Sequence, residues 1–205
     1  MRYLLTRGYP RKSSVEFIGN HYQLTRDERN ILFRGVFPRA IAQAIRANRV
    51  TPRAICGKEL FVDGYNVTIT LENAMKGRPI IRGNDGFIRD ISGTFRGFRQ
   101  SDLTEACWRE IIRLLTQYRP GLTTVLLDKP YSKSAQLARS IKIWMEEYSI
   151  QGQVLLSQRV DFKLKNARGV RATSDSTILI RGGPSLDLAG HIAIRRLKKR
   201  PFVVP

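Results

Sequence analysis

Leu60-Phe61-Val62-Asp63-Gly64-Tyr65-Asn66-Val67 decides how the rest of the chain reads. A short run of Leu, Phe and Val is the pattern of a strand buried on both faces, and such strands belong to parallel sheets covered by helices. The run ends in Asp-Gly. In an open sheet of that kind, ligands bind beyond the carboxyl ends of the strands, so Asp63 is delivered to the functional edge. Asp-Gly is equally a hairpin turn signal, and the fragment alone leaves both readings open.

From Lys58 onward strands and helices alternate, which predicts an α/β domain built on a mainly parallel sheet. Strands are expected over 59–62, 122–127, 154–156 and 170–173, and helices over 102–118, 134–148 and 160–165. The segment 66–71 reads as either a strand or a helix start, and its β-branched Val67, Thr68, Ile69 and Thr70 favour a strand by propensity. Residues 83–100 carry four glycines among Arg and Phe and read as a long loop. Residues 185–197 read as a final helix, followed by the basic tail Lys198-Lys199-Arg200.

The first 57 residues read as a separate helical module, with residues 58–205 as the α/β domain. A helix through 13–18 closes at Gly19-Asn20. A second opens at Thr25, where Thr25-Arg26-Asp27-Glu28 has the form of a capping box. A third runs over 38–47 with Pro38 in its first turn. Arg39 and Arg46 share one face of that helix, with Arg49 a turn further on. They read either as a solvated basic side or as contacts to phosphates.

The chain has 205 residues, 36 Lys and Arg, 17 Asp and Glu, and a formal net charge of +19. Such an excess points to a polyanionic partner such as RNA. Residues 1–57 hold 11 basic and 3 acidic side chains, residues 58–150 hold 14 and 11, and residues 151–205 hold 11 and 3. Charge is thus concentrated at the ends, and carboxylates in the middle. Two cysteines, Cys56 and Cys107, make no disulfide framework and no zinc motif, and are expected as two buried thiols in a reducing compartment. The first residues resemble no signal peptide and no stretch is apolar enough to span a bilayer, so a cytoplasmic location is expected. The sequence leaves a homodimer and association with a ribonucleoprotein open.

Three strand ends carry aspartate: Asp63, Asp128 after Leu122 to Leu127, and Asp175 after Val170-Arg171-Ala172-Thr173-Ser174. In a parallel sheet these ends converge. Convergent carboxylates repel unless a cation lies between them, and Mg²⁺ or Mn²⁺ takes such oxygen ligands together with substrate phosphates. Each aspartate also has a structural reading: Asp63 as a turn cap, Asp128 as an acceptor at a helix entrance, Asp175 as the N-cap of a helix over 176–180. Asp187 is either a fourth strand-end acid or a helix N-terminal charge. No P-loop supports a phosphotransferase, and no G-x-S-x-G motif supports a serine nucleophile.

Phe61-Val62-Asp63-Gly64-Tyr65-Asn66-Val67 resembles the opening strand of NYN-type ribonucleases in the PIN-like superfamily, and Thr173-Ser174-Asp175-Ser176 is similar to their late aspartate segment. The resemblance covers roughly residues 58–197 in this sequence. It implies a three-layer α/β/α fold, a divalent cation, Mg²⁺ or Mn²⁺, and endoribonuclease activity on RNA. Asp63 and Asp175 would be ligands, Asp128 an intermediate strand-end ligand, and Asn66 a neighbour of the metal. A further mid-domain acid is expected, with Asp90, Asp102 and Glu105 as candidates and Asp90 preferred for its place in the glycine-rich loop. A basic helical module joined to such a domain also resembles an uncharacterised prokaryotic, chiefly archaeal, arrangement. Ser132 and Ser134 precede a helix and are read as phosphate holders or ordinary caps. Arg96-Gly97-Phe98-Arg99, with Phe87 and Phe95, mixes planar cations and rings as single-strand binders do, so Arg96 and Arg99 join the candidate RNA contacts, while the phenylalanines read equally as core plugs. The alternative to a nuclease is a non-catalytic RNA-binding or ribonucleoprotein-assembly protein that keeps the fold and has lost the chemistry.

Overall fold

The computed structural model describes residues 1–92, 101–129 and 133–204. Four helices come first: α1 (Arg2–Thr6), α2 (Arg11–His21), α3 (Arg26–Gly35) and α4 (Arg39–Ala47). The capping box at α3 forms as the sequence suggests, with Thr25 N donating to Glu28 Oε2 at 2.7 Å and Glu28 N donating to Thr25 Oγ1 at 3.3 Å. Thr25→Ala is expected to lower stability by about 1 kcal/mol, read as a shift in the urea midpoint at unchanged slope. α2 runs through Gly19-Asn20 instead of stopping there. Gly19 leaves room for the Arg29 guanidinium, which a Cβ would meet at 2.3 Å and which bonds Asn20 Oδ1 and the Leu24 carbonyl.

After β1 (Arg49–Val50) and a 3₁₀ turn (Pro52–Ile55) come β2 (Glu59–Asp63), α5 (Gly64–Met75), β3 (Ile80–Arg82), β4 (Ile88–Asp90), α6 (Asp102–Tyr118), β5 (Leu122–Asp128) and α7 (Ser134–Glu147). The chain then forms β6 (Gly152–Ser157), α8 (Val160–Lys165), β7 (Val170–Ala172), α9 (Ser176–Leu179), β8 (Ser185–Leu186), α10 (Leu188–His191), a π-helical turn (Ile192–Arg196) and β9 (Phe202–Val203). Six strands make a central sheet in the order β1-β8-β7-β2-β5-β6, with every neighbouring pair parallel.

Side chains alternate across this sheet as a period of two requires. Leu60, Val62, Val125, Leu127, Val170 and Ala172 face a large core with Trp108 and Ile111 of α6 and Leu137 and Ile141 of α7. Phe61, Leu126 and Leu155 face the other way, against Val160 and Leu164 of α8 and Ile178 of α9. This is the expected α/β architecture, with helices on both faces of a parallel sheet and a helical segment in front.

Residues 66–71 form a helix and no strand. In α5 every residue from Gly64 to Ala74 is buried, and Asp63 caps the first turn with Oδ1 accepting from Asn66 N at 3.3 Å. Packing on all sides and a cap outweigh the weak strand preference of Val67, Thr68, Ile69 and Thr70. Residues 185–197 divide into β8, α10 and the π turn instead of one helix, because Ser185-Leu186 pairs with both β1 and β7.

A second sheet, ordered β4-β3-β9, lies where a loop and a free tail were expected. Its Ile81 packs with Leu5, Val36, Ile91 and Val204, which ties the helical segment to the α/β part. Cys107 is buried as expected, but Cys56 is exposed. Trp108 is a core residue, while Trp144 is only partly buried against that core. Among the described residues no helix is long and apolar enough to cross a membrane.

Candidate functional site

Register places the acidic residues. Asp63 on β2 lies opposite Leu126 on β5, so Asp128 stands two positions, or about 7 Å, further along the same edge. On the other side Val62 pairs with Ala172, and the chain leaves β7 through Thr173 and Ser174 to reach Asp175. Asp63, Leu126 and Asp128 share the sheet face that α8 and α9 cover. The amino ends of those two short helices therefore meet the strand ends.

The local bonds hold Asp63 and Asp175 together. Thr173 Oγ1 donates to Asp63 Oδ2 at 2.8 Å and accepts from Asp175 N at 3.1 Å. Asp175 Oδ1 accepts from Thr177 N at 2.7 Å, so the residue is the N-cap of α9. Asn66 Oδ1 accepts from Ser174 N at 2.8 Å and from Ser174 Oγ at 3.0 Å. Asn66 therefore acts by fixing the Thr173-Ser174-Asp175 turn. From behind, Arg89 Nε donates to the Ser174 carbonyl at 2.8 Å.

The electrostatics join four carboxylates. Asp63 is 3 % exposed, and burial above all pushes its carboxyl up to about 8; its bonds from Thr173 and Asn66 oppose the rise, and the charges of Asp175 and Asp128 add to it. Burial and then Asp161 raise Asp128. Burial and then Asp175 raise Asp161. Each of these groups is disfavoured as an anion first by burial and then by its anionic neighbours.

Asp161 did not emerge from the sequence. It lies in the first turn of α8 and reaches Asp128 because Val160 and Leu164 pack against Leu126. The available signal was its position, an acid opening a helix immediately after a strand of the parallel series. A cavity of about 200 Å³ adjoins the site, lined by Phe33, Arg34, Asn66, Arg89, Asp175 and Thr177 among others. Phe33 and Arg34 come from α3, so the helical segment forms one wall.

The other expected residues lie elsewhere. Asp90 ends β4, paired with Arg34 at 3.1 Å and accepting from Ser92 N and Oγ. Asp102 and Glu105 are exposed on α6, and Glu105 pairs with Arg109 at 2.7 Å. Asp187 meets both readings, following β8 directly and capping α10. Arg39 is exposed on α4, whereas Arg46 and Arg49 line a separate cleft beside Asp187. Ser134 is buried as the first residue of α7, and its hydroxyl donates to the Lys129 carbonyl at 3.2 Å, so it makes no cap bond to the helix. Arg96, Arg99 and Ser132 lie outside the described residues.

The donor set fits a hard divalent cation such as Mg²⁺ or Mn²⁺. All donors are oxygens, and Asp63 is a buried carboxylate with no basic partner among the described residues. Among the described residues no group of three His, Cys, Asp or Glu side chains stands close enough to enclose an ion. Mg²⁺ is commonly held by one or two carboxylates, with waters and substrate phosphate completing the shell, so that arrangement is compatible with it.

Residues 52–191 match the family described as Domain of unknown function (DUF5616), and residues 1–48 match the one described as Protein of unknown function (DUF434). Over 178 residues the chain is 30% identical to Uncharacterized protein MJ0935 of Methanocaldococcus jannaschii, a match covering 87% of this chain and 85% of that one. Asp63, Asp128, Asp161 and Asp175 all fall within the larger match, and on that match the chain belongs to the DUF5616 family.

Proposed function

We propose that the protein is a divalent-metal-dependent endoribonuclease with a PIN-like, NYN-type active edge. The observation that carries this reading is the convergence of Asp63, Asp128, Asp161 and Asp175 at the carboxyl edge of one parallel sheet, with the carboxyl of Asp63 pushed up to about 8. A buried carboxylate with anionic neighbours is an arrangement that a bound cation would relieve.

Asp63 and Asp175 would hold the ion, with Asp128 and Asp161 facing it. When bound, Mg²⁺ or Mn²⁺ would supply positive charge to a phosphate oxygen and ease the loss of a proton from the water that attacks phosphorus. Asn66 and Thr173 keep Asp63 and the Ser174-Asp175 turn in register. Arg34, paired with Asp90 at 3.1 Å, lines the adjoining cavity and brings a guanidinium to its wall. Phe33, 45% exposed at the same cavity, offers a ring on which a base can stack.

A second reading, a non-catalytic RNA-binding or ribonucleoprotein-assembly protein, is favoured by the lack of any closed three-residue metal group among the described residues. One assay separates the two. Labelled single-stranded and structured RNAs are incubated with the protein in Mn²⁺, Mg²⁺ or EDTA. Internal cuts that appear with either metal and vanish in EDTA are the expected result, and RNA that is bound yet intact under all three conditions selects the second reading.

A further inference from the structure

Away from the acidic site, five arginines from separate parts of the chain converge on one cleft of about 890 Å³. Arg46 comes from α4, Arg49 from β1, Arg53 from the 3₁₀ turn, Arg82 from β3 and Arg195 from the π turn. One carboxylate answers them: Asp187, which is buried and lies 3.5 Å from Arg49 while also accepting from Ile88 N and Gly190 N. Arg46, Arg53, Arg82 and Arg195 make no ion pair among the described residues, and Arg82 Nε is buried with no hydrogen-bond partner. His191 in the same wall is held below the usual imidazole range by burial and by Arg195, Arg49 and Arg196, so it adds no charge of its own near neutral pH.

Gathering five guanidinium groups around one carboxylate costs self-repulsion that a bound polyanion removes. A guanidinium fork matches phosphate oxygens in pairs, and the cleft is of the size that holds a nucleotide-scale ligand. Its position says which polyanion. Val50 and Leu186 pair in register, Leu186 pairs with Ala172, and Ala172 pairs with Val62. The residues that follow, Thr51 and Asp187 in the cleft and Asp63 in the acidic site, therefore stand on one rim of one sheet. With strands about 4.8 Å apart, Asp187 and Asp63 are separated by two strand steps, about 10 Å.

We infer that this arginine cleft holds the phosphates of a single-stranded RNA while the neighbouring part of the same strand lies at the acidic edge. The inference rests on the nuclease reading only for the choice of RNA as the polyanion. Tyr118 lines the cleft half-buried, its ring against that of His191 at 6.4 Å, and gives one aromatic wall beside the cations.

The test is equilibrium binding of a fluorescent single-stranded RNA in EDTA, so that cutting plays no part. Arg82→Gln combined with Arg195→Gln removes two cations without breaking an ion pair. Affinity at 0.1 M salt is expected to fall about 10- to 100-fold, and the slope of log affinity against log salt to shrink by about 1.4, the value for two lost contacts to a single strand. Arg139→Gln with Lys142→Gln on α7, at the opposite sheet edge, controls for net charge and is expected to leave affinity within about 3-fold. Equal losses in the two double variants would overturn the inference, as would displacement of the RNA by ATP or inorganic phosphate at matched phosphate concentration. A wild type that binds through the cleft but never cuts with any metal leaves this inference standing and removes the nuclease reading.

Discussion

Asp63→Asn is expected to lower metal-dependent RNA cleavage by at least about 10³-fold, about 4 kcal/mol of barrier, while leaving RNA affinity in EDTA within about 2-fold. The same substitution is expected to make the metal-free protein more stable at pH 8. Asp63 is buried and its carboxyl is pushed up from 3.8 to about 8. Between those values the unfolded chain has lost the proton that the folded chain keeps, so stability falls as pH rises through this window and levels off above about 8. Asparagine carries no proton to lose, and its amide can still meet Asn66 N and the Thr173 hydroxyl. Thermal melts from pH 5 to 8.5 in EDTA should slope downward for the wild type and much less for the variant. Mn²⁺ should reverse the wild-type trend, because a cation needs the deprotonated carboxylate and binds more tightly as pH approaches 8. Identical pH slopes in the two proteins, together with undiminished cleavage by the variant, would remove Asp63 from the site.

The parts of the fold that the sequence revealed are those buried by local pattern. β2, β5, β6 and β7 read as strands because short apolar runs have few other places to go in an α/β chain, and α6 and α8 came out at their observed bounds. Asp63, Asp128 and Asp175 followed from strand ends alone. What stayed hidden depends on partners distant in sequence. β1 and β8 are two residues long, and only their pairing makes them strands. β9 joins β3 across 120 residues of chain, through Ile81 opposite Phe202. Asp161 counts only because α8 lies under β5, and Asp90 takes its ion-pair partner, Arg34, from the helical segment. In α5 the β-branched run misled because a helix buried on every side is selected by packing more than by intrinsic preference.

The same dependence on distant partners sets the second large effect, the loss of the Asp85 and Arg89 pair. Asp85 is fully buried and accepts from Arg89 Nη1 at 2.9 Å and Nη2 at 2.5 Å, with Phe87 N as a third donor at 3.2 Å. The Arg89 guanidinium lies over the ring of Phe37 and spends its remaining nitrogen on the Ser174 carbonyl. It therefore connects the helical segment, the second sheet and the turn that carries Asp175. Asp85→Ala leaves that guanidinium buried without its counter-charge, and the expected cost is about 3 to 5 kcal/mol, measured by urea unfolding. Because the penalty comes from the orphaned cation, the double variant Asp85→Leu with Arg89→Met should regain much of the loss. It should not regain cleavage, since the Ser174 carbonyl has then lost the donor that holds the turn in place. A single-variant loss below about 1 kcal/mol would mean that water reaches Arg89 when Asp85 is gone, and a double variant with full stability and full cleavage would sever the link between this ion pair and the acidic edge.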